Sequence, residues 1–252
     1  MTVPADKPII IVTGAGSGMG RAIAQVLLAQ GLPILLAGRR RERLDETVAG
    51  AANQDLARVA VGDLGSPAGA DALLDAVCGC RVSALVASAG GQGDFIRPGA
   101  GAAAAETAWL AALRMNLFTA VLPIEAVLSR IIDGGRIILI GSTAGIDGQG
   151  GPYATAKAAL AGYGRDLARR VGGRGITVNT LAPGFISDTD FFEAGGFGPV
   201  NSLIDAAARQ TLLGQVGRCD DVVAAVDWLL GPGGRWVTGQ TISVNGGTIM
   251  VQ

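Results

Sequence analysis

The 252-residue chain contains no histidine. That absence excludes Ser-His-Asp and Cys-His nucleophilic catalysis, and any histidine-ligated zinc. Proton transfer near neutral pH then falls to a carboxylate, a lysine, a cysteine or a tyrosine. The chain has only two lysines and two tyrosines, so those candidates can be named one by one. Cysteine is scarce too: Cys78, Cys80 and Cys219. An odd count without metal-ligand spacing suits small apolar side chains in a reducing cytoplasm, and no metal site is expected. Charge is sparse, at 16% of residues with a net charge of -1. No basic stripe offers itself to nucleic acid or to an anionic membrane. The run Arg39, Arg40, Arg41, Arg43 is the one local exception. No apolar run reaches roughly 18 residues, so no membrane-spanning helix is expected. Met1–Lys7 lacks a signal-peptide layout.

What is present points to one α/β domain over residues 1–252. Apolar residues make up 49% of the chain and glycine is abundant, at 40. Short β-branched runs alternate with helical patterns. Ile9–Thr13, Ile34–Ala37, Arg58–Val61, Val82–Ala87, Arg136–Ile140, Ile176–Leu181 and Thr241–Val244 read as seven buried strands. Helices are expected over Met19–Gln30, Glu42–Ala52, Pro67–Val77, Ala103–Ile132 (bent near Pro123), Tyr153–Val171 and Asp220–Leu230. This order predicts a doubly wound, Rossmann-type fold: a seven-stranded parallel sheet with helices on both faces. Phe185–Gly217 has no clear pattern and reads as a substrate lid.

Between the first strand and the first helix lies Thr13-Gly14-Ala15-Gly16-Ser17-Gly18-Met19-Gly20. Glycines there permit a tight turn and close approach to a pyrophosphate, which the helix N-terminus then favours. Gly14, Ser17, Gly18 and Met19 are the expected contacts. An acid at the tip of strand two would bind the ribose 2′-hydroxyl of NAD. This chain has Gly38-Arg39-Arg40 instead, and planar cations suit a 2′-phosphate, so NADP(H) is expected. Asp63, after strand three, is placed to receive an adenine amino group.

Tyr153-Ala154-Thr155-Ala156-Lys157 opens a helix and puts both polar side chains on one face. Free tyrosine titrates near pH ~10. A cation ~4 Å away at an effective dielectric of about 20 supplies roughly 4 kcal/mol, enough to lower it by about three units. On that reading Lys157 lowers Tyr153, which donates a proton to a nascent alkoxide. Ser142 after strand five would orient a carbonyl, and Asn116 would hold a relay water.

On these residues the chain resembles the short-chain dehydrogenase/reductase family over essentially its whole length. The likeness rests on the Gly-rich turn, Asp63, the Asn116–Ser142–Tyr153–Lys157 set, Pro183-Gly184 and the closing Thr238-Gly239-Gln240…Asn245-Gly246-Gly247. It implies hydride transfer with NADP(H), commonly in a homotetramer. It also implies cofactor contacts at Leu64, Ala89, Gly90, Pro183, Gly184, Ile186 and Thr189, and a ribose contact at Lys157. Three departures stand out. Ala87-Ser88-Ala89-Gly90 replaces the family's Asn-Asn-Ala-Gly. The shortened gap from Ser142 to Tyr153 makes Thr143 a rival for the serine role. Thr189 falls one place late.

The substrate should lie over Tyr153, walled by Gly91, Gln92 and Phe95 on one side and by Phe185, Phe191 and Phe192 on the other. Four of the six phenylalanines fall between 185 and 197. This favours a bulky or aromatic polyketide-type ketone. A 3-oxoacyl-carrier-protein reductase is the alternative, and an NADP(H)-sensing regulator is the non-enzymatic one.

Overall fold

The computed structural model describes residues 7–91, 100–189, 191 and 200–250. Their strands are β1 (Ile9–Thr13), β2 (Ile34–Gly38), β3 (Ala57–Val61), β4 (Val82–Ala87), β5 (Ile131–Ile140), β6 (Thr177–Pro183) and β7 (Thr241–Val244). Their helices are α1 (Gly18–Ala29), α2 (Arg41–Ala49), α3 (Pro67–Val77), α4 (Ala102–Leu113), α5 (Thr119–Val127), α6 (Ala144–Asp147), α7 (Gly151–Val171), α8 (Val200–Ala208) and α9 (Cys219–Leu230). The strands form one sheet in the order β3-β2-β1-β4-β5-β6-β7, and every pairing is parallel. The expected doubly wound sheet is therefore present, with seven strands among the described residues.

The strands lack a polar face because both faces are covered. Along β1 all five residues are buried. Ile9 and Ile11 point into a core shared with Leu73 and Val77 of α3, Ile124 of α5 and Leu160 of α7. Ile10 and Val12 point into the opposite core, with Leu27 of α1, Leu44 of α2 and Val226 of α9. Period-two alternation thus sorts one apolar strand between two layers of helix.

The long helix expected over Ala103–Ile132 is an uneven helical run over 102–130, and β5 takes over at Ile131. Its irregularity is a π turn at Arg114–Phe118, ahead of Pro123, which sits buried within α5. By length and composition this run could cross a membrane, a feature that counting uninterrupted apolar residues did not reveal. In the fold it packs against α3 and α7. Helix α8 lies inside the segment read as a patternless lid, and the short α6 was not foreseen.

Candidate active site

Strand order reverses between β1 and β4. The crevice at the carboxyl ends of such strands is the usual ligand site of an open α/β sheet. A cleft of about 850 Å³ opens there. Thr13 ends β1 fully buried, and its hydroxyl accepts N–H bonds from Ser88 (3.1 Å) and Ala89 (3.0 Å) at the end of β4. The sheet edge that lacks the family's asparagine is therefore closed by backbone donors. This closure presses Gly14 against Ala89: a Cβ on Gly14 would lie 2.8 Å from its Cα, and φ is +66°. Only glycine suits that position.

The turn is anchored to α2 from behind. The buried Thr47 hydroxyl lies 2.9 Å from the Ala15 carbonyl. Arg21 donates to the Gly16 carbonyl at 2.6 Å and to Thr47 Oγ1 at 3.2 Å. Ser17 makes no side-chain cap, so the first N–H groups of α1 have no hydroxyl partner there. Ser17, Gly18 and Met19 line the cleft. The γ-methyl of Thr189 would sit 3.3 Å from a Cβ on Gly18, so the late threonine still reaches the turn.

Arg39 and Arg40 line the cleft at the tip of β2, exposed and without an ion pair among the described residues. Arg43, which sequence reading saw only as part of a basic run, lines it as well and holds Glu46 at 3.4 Å. The i+3 and i+4 spacing of a helix start brings it back beside the pair. Asp63 and Leu64 follow β3 into the cleft, with one Asp63 oxygen accepting the Gly65 N–H. Ala89, Gly90, Gly91, Pro183, Gly184 and Ile186 complete this wall. Uncapped helix donors at one point and unpaired guanidinium groups at another fit a dinucleotide with an extra phosphate.

The catalytic candidates stand at the other end. Ser142 follows β5, and its Oγ accepts the Ala144 N–H at 3.1 Å, which seats it at the start of α6. Gly145 lets α6 approach α7 closely: a Cβ there would lie 2.8 Å from the Lys157 carbonyl carbon. The approach sets the Ser142 hydroxyl beside the Tyr153 phenol, near enough to pull the phenol's pKa down. That proximity separates Ser142 from its rival Thr143, which also lines the cleft. Lys157 is buried beneath, with Nζ donating to the Ile140 carbonyl at 2.9 Å and lying 6.0 Å from the Tyr153 ring centroid.

This geometry corrects the expected electrostatics. Burial raises the Tyr153 pKa, and the nearby Ser142 hydroxyl offsets only part of that rise. Lys157 does not reverse it. Burial lowers the lysine itself to about 8, and its ammonium faces a carbonyl rather than the phenol oxygen. Removing water from both groups costs each its charged form, a price that the assumed ~4 Å ion contact ignored. The phenol is thus held neutral, the form that a general acid needs.

Asn116 sits buried in the π turn. Its Nδ2 donates to the Gly91 carbonyl at 2.9 Å, and its Oδ1 accepts the Gly91 N–H at 3.1 Å. Sequence reading gave this amide a relay water; in the structure both its ends hold the strand-four loop. A Cβ on Gly90 would lie 2.9 Å from Asn116 Oδ1 and 3.2 Å from Lys157 Nζ, so the bare Gly90 lets three elements meet.

On the substrate side Phe185 and Phe191 line the cleft, and the Phe191 ring lies 5.6 Å from that of Tyr153 at 56°. Gln92, Phe95 and Phe192, expected beside them, lie outside the described residues. The segment's base is pinned. Ile186 bridges to Gly217, Gly217 N–H donates to Phe185 O, and Asp188 accepts the Cys219 N–H at the start of α9. Asp147, Gln149, Gln210 and Thr248 also line the cleft, and no sequence motif marked them.

A family profile described as enoyl-(acyl carrier protein) reductase matches residues 14–248. The chain is 31% identical to the 3-oxoacyl-[acyl-carrier-protein] reductase FabG of Escherichia coli K12, covering 98% of this chain and 99% of that one. Two solved structures each match at 30% identity and a TM-score of 0.81, covering 98% of this chain and 99% of the other. One is a short chain dehydrogenase from Burkholderia cenocepacia J2315 in complex with NADP. The other is a variant actinorhodin polyketide ketoreductase with NADPH. With the sheet order, the glycine turn and the Ser142–Tyr153–Lys157 grouping already in place, these matches identify the chain as a member of the short-chain dehydrogenase/reductase family.

Proposed function

We propose that this protein reduces a bulky, hydrophobic ketone of aromatic polyketide type to a secondary alcohol with NADPH. The observation that carries the reading is the Ser142 hydroxyl set beside the Tyr153 phenol inside the cleft, with the Phe191 ring packed on that tyrosine. NADPH, held by the glycine turn and the β2 arginines, would supply the hydride. Ser142 donates a hydrogen bond to the carbonyl oxygen and fixes its direction. Tyr153 delivers its proton to the same oxygen as negative charge develops there. Because the phenol is neutral before reaction, reduction needs no prior lowering of its pKa. Lys157 binds the nicotinamide ribose and, with a pKa of about 8, exchanges protons readily near neutrality. A water relay past the backbone of Asn116, whose amide is held by Gly91, completes the path that reprotonates Tyr153. Arg39, Arg40 and Arg43 receive the 2′-phosphate, and Asp63 the adenine amino group.

The whole chain acts as one catalytic domain, with residues 185–217 as its substrate lid. A cytoplasmic homotetramer accords with the apolar side chains left on two faces: Trp109, Leu110 and Phe118 on the helical run, and Trp228 and Trp236 near the edge strand β7. Light scattering of the purified protein checks this assembly.

A 3-oxoacyl thioester is the second reading, favoured by the likeness to FabG. A panel of a polycyclic ketone and an acetoacetyl thioester, followed by NADPH oxidation, separates the two. A kcat/KM at least tenfold higher for the ketone supports the first reading, and activity on the thioester alone refutes it. An absence of turnover on every carbonyl would favour the sensing regulator.

A further inference from the structure

The opposite end of the sheet carries a second constellation, unrelated to the cleft. Cys78 ends α3 in the left-handed region, at φ +52°, and is exposed. Two residues on, Cys80 is half-buried just before β4. Arg58 of β3 donates from Nη1 to Cys80 Sγ at 3.2 Å. Cys80 also lines a groove of about 380 Å³ together with Arg81, Arg130, Asp133 and Arg174. Arg174 is committed within the wall: its Nε pairs with Asp133 at 2.9 Å, and it bonds the Leu128 and Ile131 carbonyls. Arg81 and Arg130 are exposed and make no ion pair among the described residues.

Cys80 therefore has one guanidinium on its sulfur and shares its groove with three more, of which Arg174 is paired with the one carboxylate, Asp133. Arginine pairs form planar, two-point bonds to carboxylates. The thiolate of a cysteine attacks a disulfide, and cations in the same groove draw in an anionic one. The other two thiols lack this setting. Cys78 is exposed, and its sulfur makes no hydrogen bond among the described residues. Cys219 is buried, and its thiol is pushed up to about 12 by that burial and by the Asp188 carboxylate.

We propose that Cys80 is a thiol–disulfide exchange site for low-molecular-weight disulfides bearing carboxylates, which Arg81 and Arg130 receive. In the exchange the Cys80 thiol loses its proton to solvent, and the thiolate attacks one sulfur of the disulfide. A new S–S bond forms to Cys80, the old S–S bond breaks, and the other half leaves as a thiolate. No further oxidant is needed. The site does not depend on the identity of the ketone substrate.

The test uses the reduced full-length protein and its Cys78→Ser and Cys80→Ser variants. Each is mixed with glutathione disulfide, which is anionic, or cystamine, which is cationic, and the adducts are read by mass spectrometry over time. Exposure alone would make Cys78 the faster thiol. The proposal instead expects Cys80 to outrun Cys78 with glutathione disulfide and to lose that lead with cystamine. Arg81→Gln with Arg130→Gln should slow the glutathione reaction at Cys80 by about fivefold per arginine, the factor of one solvent-screened charge contact. The cystamine reaction should not slow. The carboxylate preference should also fade at high salt. Unchanged ketone reduction in the double variant verifies that it is folded. Preferential glutathione adduction of Cys78, or equal Cys80 rates with both disulfides, would overturn the proposal.

Discussion

The two halves of the cleft are held in different ways. The nucleotide half is tied by backbone and buried polar bonds: Thr13 to Ser88 and Ala89, Thr47 and Arg21 to the glycine turn, Asn116 to Gly91. The substrate half depends on side chains from a segment pinned at its base, at Phe185–Asp188 and Gly217–Cys219. Tyr153 stands between them, beside Ser142 and in tilted ring contact with Phe191. A rigid nucleotide half can serve any short-chain reductase, whereas the substrate half is where this chain can differ from its relatives.

Substitutions should separate the two halves. Tyr153→Phe removes the proton and keeps the tilted ring contact with Phe191. Turnover should fall by about 10²–10⁴-fold, the usual worth of a positioned acid, while NADPH affinity measured by fluorescence titration stays nearly constant. Arg39→Ala with Arg40→Ala should raise the KM for NADPH on the order of tenfold, the loss of one or two charge-assisted bonds, and leave the KM for NADH unchanged. A similar rise for both cofactors would break the assignment of these arginines to the 2′-phosphate. Phe191→Ala should cost about fivefold in kcat/KM for a polycyclic ketone, the worth of an aromatic contact, and less for a small ketone. An equal loss for both would make Phe191 a support of Tyr153 rather than a substrate wall.

The smallest effect is one of pH. Burial lowers Lys157 from 10.5 to about 8, so between those values the unfolded chain binds more protons than the folded one. Stability from this group therefore rises with pH across that window, and the cost of burying the ammonium is complete below about pH 8. The melting temperature of Lys157→Met relative to the native chain should show it: any advantage of methionine at pH 7 should shrink towards pH 10. An advantage that grows with pH would contradict the lowered lysine.

Much of this was legible in the sequence because it is local. Strands buried on both faces leave uninterrupted β-branched runs, and a turn that must pass Ala89 without a Cβ leaves glycines. Other features arise from contacts distant in the chain. Pro123 advertised a bend, yet the irregularity sits at Asn116, whose amide bonds Gly91, 25 residues away. Arg43 reaches the nucleotide end only because α2 starts where it does. Helix α8 was hidden in a segment whose pattern is too short to stand out. The direction of the Tyr153 shift depends on how completely α6, α7 and Phe191 exclude water, which the four-residue spacing to Lys157 does not encode.

The most direct test is the titration of the two tyrosines by NMR in the cofactor-free protein, with ring carbons labelled and assigned by Tyr153→Phe. Burial raises both phenols. The Tyr153 midpoint should lie above that of an ordinary phenol, consistent with an acid that enters the reaction carrying its proton. A Tyr153 midpoint near neutrality would contradict that account and restore Lys157 as the group that ionises it.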